Sequence, residues 1–279
     1  MKNILLTGLP RSGTTLTVSL LNRGRNVVAL HEPIKFSEYK VFGDCAVSEL
    51  NRYFSETREK ILVDGFVGTK VVAGGGSNPF GSVRDTSGKR VSLSRHEMLE
   101  VTKKLTSEFT LIIKHPMLIT ALLPVLKESF PVYATIRNPL ANILSWNSVS
   151  APVSIGRVPA AEARDLELKQ RLDSESNCIN RQLLISDWMF RRYKDELPSR
   201  SVIRYEDIVS SDGGSLSVID GAEIVGGFGL QSKNVNKLYS RDLVAELMKK
   251  LTQYPGAWSE FYSNDDVVDL GSELLNRLE

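Results

Sequence analysis

Short, continuously apolar runs alternate along this chain with longer stretches in which apolar positions recur every three or four residues. The runs lie at 3–7, 26–30, 110–114, 132–137 and 201–205 and predict strands. Helical periodicity covers 14–23, 118–128, 140–148, 160–172, 179–196 and 242–252. Strands alternating with helices predict an α/β fold with a central parallel sheet flanked by helices. Ligands of such sheets bind at the carboxyl ends of the strands. The loop 8–15, Lys114 and Arg137 all stand at or just beyond such ends.

The segment 63–95 breaks the alternation. It carries Gly74-Gly75-Gly76, Asn78-Pro79 and Ser87-Gly88, with strand-like pieces at 69–73 and 90–93. It reads either as a surface hairpin or as a flap over a substrate pocket. Ser94-Arg95-His96-Glu97 has the form of a capping box and predicts a helix from 94 to about 105. A second glycine cluster, 225–229, precedes Lys233 and Lys237 and predicts another loop near a bound anion.

The first strand–loop–helix unit carries the clearest chemistry. Gly8 and Gly13 have the G-x4-G spacing of a phosphate loop between a strand and a helix. Gly13 allows close backbone approach, Ser12, Thr14 and Thr15 offer amides and hydroxyls, and the helix start adds its positive dipole end. The position where a nucleotide P-loop places lysine holds Thr14, and the cation is Arg11 instead. A magnesium-dependent NTPase also wants an aspartate ending an apolar strand, and the strand at 110–114 ends in Lys114.

Composition narrows the partners. With 279 residues, 42% hydrophobic and 24% charged, the chain can bury a full core and reads as one domain, 1–279, with 63–95 as a candidate substrate flap. A net charge of +2 offers no global field for nucleic acid or an anionic membrane, so anion recognition must be local. Cys45 and Cys178 match no metal or redox spacing and read as free thiols. The apolar residues 4–6 are too few for a signal peptide, and no run approaches a membrane span, so a soluble cytoplasmic protein is expected. Oligomeric state is not legible.

Leu9-Pro10-Arg11-Ser12-Gly13-Thr14-Thr15 resembles the 5′-phosphosulfate loop of sulfotransferases that use 3′-phosphoadenosine 5′-phosphosulfate (PAPS), closest to the tyrosylprotein, carbohydrate and bacterial branches. A second motif of that family is an arginine at a strand end followed by Asn/Asp-Pro and a serine on the next helix. Arg137-Asn138-Pro139 and Ser145 are similar to it. Arg204-Tyr205-Glu206-Asp207 resembles the family's strand-ending Tyr-Glu-Asp, and Gly256-Ala257-Trp258 its Gly-x-Trp. The resemblance implies a PAPS-dependent sulfotransferase that uses no metal and leaves 3′,5′-adenosine bisphosphate (PAP) as product. It implies that Pro10, Arg11, Ser12, Gly13, Thr14 and Thr15 hold the phosphosulfate. Arg137 and Ser145 would hold the 3′-phosphate, and Tyr205 would meet adenine. Lys233 or Lys237 would stand in for the basic residues this chain lacks around Trp258.

Sulfuryl transfer to a hydroxyl needs a group that accepts the proton. His31-Glu32 follows the second strand, where the resemblance puts the base of the tyrosylprotein and bacterial branches. That makes Glu32 the general base, with His115 the alternative and His31 an orienting partner. Lys114-His115-Pro116 resembles the Lys-x-Pro of the tyrosylprotein branch and implies transition-state stabilisation by Lys114. The acceptor is a small molecule or carbohydrate, its pocket expected among 36–58, 63–95 and 151–172. The alternatives are an ATP-dependent small-molecule kinase and a nucleotide-binding module without catalysis.

Overall fold

The computed structural model describes residues 2–35, 45–73, 78–223 and 226–278. Its elements run β1 (Lys2–Gly8), α1 (Thr14–Leu21), β2 (Val27–His31), α2 (Ala46–Val63), β3 (Phe66–Val72), β4 (Phe80–Arg84), β5 (Arg90–Ser92) and β6 (Ser94–Glu100). There follow β7 (Thr110–Lys114), α3 (Pro116–Leu126), β8 (Val132–Ile136), α4 (Pro139–Asn147), α5 (Pro159–Glu162), α6 (Leu166–Ser174) and α7 (Cys178–Glu196). The chain closes with β9 (Val202–Arg204), α8 (Tyr205–Ser210), α9 (Arg241–Gln253) and α10 (Asn264–Arg277).

Five strands form one sheet in the order β2-β7-β1-β8-β9, every neighbouring pair parallel. Side chains alternate between its faces, as the two-residue strand period requires. Leu5, Leu30, Leu111, Ile113, Ala134 and Ile136 enter one core with α2, α3, α4, α7 and α9. Ile4, Leu6, Ala29, Ile112, Tyr133 and Ile203 enter a second core with α1 and α8. Burial on both faces is why these strands read as unbroken apolar runs. The chain leaves β1 toward β2 on one side, and α3 later carries it from β7 across to β8 on the other. The strand order therefore reverses at β1, and the crevice opens above its carboxyl end.

Several expected elements differ. Residues 94–100 form β6, paired antiparallel with β3 from Phe66↔Glu100 to Val72↔Ser94, and not a helix. The capping-box pattern is local, whereas seven aligned residues of a distant strand decide the conformation. The pieces at 69–73 and 90–93 share one backbone hydrogen bond, from the Ala73 amide to the Leu93 carbonyl (3.3 Å), while β3 pairs with β6, and β5 with β4 between them. The expected glycine tip, 74–76, lies outside the described residues, as do 36–44. Helix 160–172 is two helices, α5 and α6, because Asp165 turns its carboxylate onto the Leu168 amide and caps a new start. Among the described residues, no helix is long and apolar enough to cross a membrane.

Candidate functional site

All five sheet strands end at one cleft of about 1030 Å³. Beyond β1 it is lined by Pro10, Arg11, Gly13, Thr14 and Thr15; beyond β2 by His31 and Glu32; beyond β7 by Lys114 and His115. Arg137 lines it beyond β8, and Tyr205 beyond β9. Ser145 of α4 joins them.

The loop between β1 and α1 is fixed from several sides. A Cβ on Gly8 would lie 2.2 Å from the Thr135 carbonyl oxygen, so only glycine fits there. The Pro10 carbonyl accepts hydrogen bonds from Asn142 Nδ2 (2.8 Å) and Trp146 Nε1 (2.7 Å). Ser12 faces inward: its hydroxyl stands 2.6 Å from the Thr135 carbonyl oxygen and 2.8 Å from that of Leu9, which its amide also reaches. It does not line the cleft. Its hydroxyl braces the loop against the Leu9 and Thr135 carbonyls. Thr14 and Thr15 open α1, whose first-turn amides have no partner within the helix.

Arg11 has left-handed backbone, φ 68°, and reaches Ser145 Oγ (3.3 Å) and Asn78 Oδ1 (3.1 Å), over the Phe80 ring. Burial, followed by the charges of Arg137 and Arg90, lowers its pKa to about 9. Arg137 is held by the Asn234 side chain (2.7 Å), the Arg11 carbonyl (3.0 Å) and the Lys233 carbonyl (2.6 Å), and it stacks on Tyr205. Glu206 in turn accepts from Asn234 (2.9 Å), from the Asn138 amide (3.1 Å) and from the Tyr262 hydroxyl (2.8 Å). Glu206 thus positions Arg137 through Asn234. Tyr205 packs against Gly13, where a Cβ would come within 2.7 Å of its ring, and its hydroxyl accepts the Lys233 amide (2.9 Å).

Glu32 also has positive φ, 45°, and its amide reaches the Lys114 carbonyl at 2.7 Å. Its carboxylate accepts from Lys114 Nζ (2.8 Å) and Lys70 Nζ (2.5 Å), with His31 Nε2 at 3.5 Å. Burial pushes its pKa up, but Lys114, the His31 hydrogen bond, His115 and Lys70 outweigh it and hold Glu32 well below the usual carboxylate range. Lys114 is almost fully buried, and burial lowers its pKa against the opposing pull of Glu32. His31 and His115 are both lowered to about 4, chiefly by burial and with Lys114 adding to it. His115 sets Nε2 against the Ile34 carbonyl, 3.3 Å away.

The sequence reading placed Pro10, Arg11, Gly13, Thr14, Thr15, Glu32, Lys114, Arg137, Ser145 and Tyr205 at one site, and all of them line this cleft, whereas Ser12 does not. It missed Lys70, Arg90, Asn234 and Tyr239. Their only signal was membership of the flap and of the segment after the glycine cluster. Lys233 lines the cleft and Lys237 does not. Asp212 accepts the amides of Gly227 (2.7 Å), Phe228 (2.7 Å) and Leu230 (2.9 Å), and so holds the expected second loop at the cleft edge. Trp258 is buried in the core and does not line the cleft.

No family model and no curated protein matches this chain. A crystal structure of a sulfotransferase from Alicyclobacillus acidocaldarius is similar to it over 99% of this chain and 96% of that chain, at 12% identity and a TM-score of 0.45.

Proposed function

We propose that this chain is a sulfotransferase that moves the sulfuryl group of PAPS, in line, to a hydroxyl of a small-molecule acceptor and releases PAP, in a cytoplasmic setting. What carries the reading is charge: Arg11, Arg90, Arg137 and Lys114 converge on one cleft in which Glu32 is the one lining carboxylate among the described residues. Guanidiniums crowded together under burial call for a polyanion. PAPS fits them, with an anionic phosphosulfate at one end of a nucleoside and a 3′-phosphate at the other.

In this reading the α1 amides and Arg11 take the 5′ end, Arg137 and Ser145 take the 3′-phosphate, and Tyr205 offers its ring to the base. Lys114 neutralises charge on the group in flight, the electrostatic role that phosphoryl-transfer sites often give to a metal. The acceptor oxygen bonds to sulfur as the bridging sulfur–oxygen bond breaks. The electron pair of that bond stays on the 5′-phosphate, and the acceptor proton passes to Glu32. Glu32 clamped by two lysines is a weak base. An anion that draws Lys114 toward itself frees one carboxylate oxygen and raises its basicity.

Glu32→Ala is expected to cut sulfate transfer by at least about 100-fold, the usual contribution of a general base. Stabilisation of the protein by PAP should survive. A variant with near-normal turnover would remove Glu32 from the reaction.

A further inference from the structure

We infer that the acceptor carries its hydroxyl on an apolar body, an aromatic or aliphatic alcohol and not a sugar; this rests on the sulfuryl-transfer reading of the same cleft. The cleft is lined by two unlike sets of side chains. Toward the β1 loop and β8 its lining is cationic. A second set, Pro116, Met117, Val153, Val158 and Ala160, is apolar, and Phe80 adds its ring beneath Arg11. The elements that carry the second set are neighbours: α3 packs on α5, and the turn at Pro152–Ile155, which leads into α5, packs on α4. This apolar wall begins where Lys114 and His115 end β7, since Pro116 and Met117 open α3 directly after them. An apolar body lying on it therefore places its hydroxyl at the Glu32–Lys114 pair.

Several polar groups of the lining are already committed. Arg157 is paired with Glu162 and with Asp173 at 2.6 Å. Asn78 is bonded to Arg11 and to the backbone of Phe80 (3.2 Å), and Arg90 to Ser148 Oγ (2.8 Å). Ser94 Oγ is buried without a partner among the described residues and can take one hydrogen bond. A sugar brings a hydroxyl on nearly every carbon, and those laid against the apolar side chains would lose water without gaining a partner. Pockets of this kind, mostly apolar with a few placed polar groups, select hydrophobic ligands that carry one reactive handle.

The test is equilibrium binding to the full chain saturated with PAP, using 1-naphthol, 1-octanol and methyl β-glucoside as probes. Naphthol and octanol are expected to bind saturably and the glucoside not. Met117→Glu, which puts a charge on the wall at a half-buried position, should weaken naphthol at least tenfold while the thermal shift given by PAP stays unchanged. Ala160→Trp, which fills the wall, should do the same by a different route. Preferred binding of the glucoside, or naphthol binding indifferent to both substitutions, would overturn the inference. Naphthol binding that persists in a protein PAP does not stabilise would uphold the apolar wall and sink the donor reading instead.

Discussion

Glu32 and Arg11 are described non-glycine residues with left-handed backbone, and both line the cleft. Such conformations persist only where surroundings over-determine them, and they gather at functional sites. The amide of Glu32 is fixed to Lys114 and its carboxylate to two lysines, so the electrostatic setting of this residue is the most testable feature at this scale. Lys70→Met removes one of the charges that hold the carboxylate down, so the Glu32 pKa rises toward its ordinary value. The acid limb of the kcat/KM profile should accordingly move to higher pH, and an unmoved limb would detach Lys70 from the base. His31 and His115 give a second prediction. Each is held near 4 when folded, against about 6.5 unfolded, so between those values the unfolded chain binds more protons. Their contribution is full above pH 6.5 and declines as pH falls, by roughly 1.4 kcal/mol per unit for each histidine. Denaturant unfolding at pH 6.5 and pH 5 reads this directly, and equal stability at both would contradict the burial of neutral rings. Lys114 was legible from its strand-end position, and Glu32 from the resemblance that singled out the residue after the second strand. Lys70 was not, because it reaches Glu32 from a strand that pairs outside the central sheet.

At the scale of elements, the strands β2, β7 and β8 announced themselves because burial along their whole length leaves little room for polar residues to break the run. The same argument explains what was not legible. β6 alternates exposed and half-buried residues and leans on β3 for its conformation, so its sequence carried a helix-start pattern with nothing local to oppose it. α2 presents Ala46, Leu50, Phe54, Thr57 and Ile61 to the core at helical spacing, a signal that was present but lay in a segment read as pocket lining. Ser12 shows the limit of motif reading. Nothing in the loop's spacing says that the Ser12 hydroxyl faces the Leu9 and Thr135 carbonyls beneath the loop. The loop after residue 225 gives the prediction at this scale. Its amides converge on the Asp212 carboxylate, and it leads into Lys233 and Asn234 around Arg137. Asp212→Ala should release it, weakening PAP several-fold in a titration while far-UV circular dichroism is unchanged. Undiminished PAP affinity would show that the loop does not organise the site.

For the whole molecule, the topology concentrates function in one place. β1 lies at the centre of the sheet with β7 and β8 beside it, so three loops leave adjacent strand ends and carry Arg11, Lys114 and Arg137 into the same crevice. A chain of net charge +2 thereby builds a strongly cationic cleft without a cationic surface. The central claim is that this cleft holds an adenosine bisphosphate and not a magnesium nucleoside triphosphate. Thermal unfolding with each ligand in turn tests it most directly. At about 100 times its Kd a ligand adds about 2.7 kcal/mol, a rise in Tm of at least about 5 °C for a chain of this size. PAP is predicted to give that rise and ATP with magnesium little or none; the reverse pattern would contradict the account.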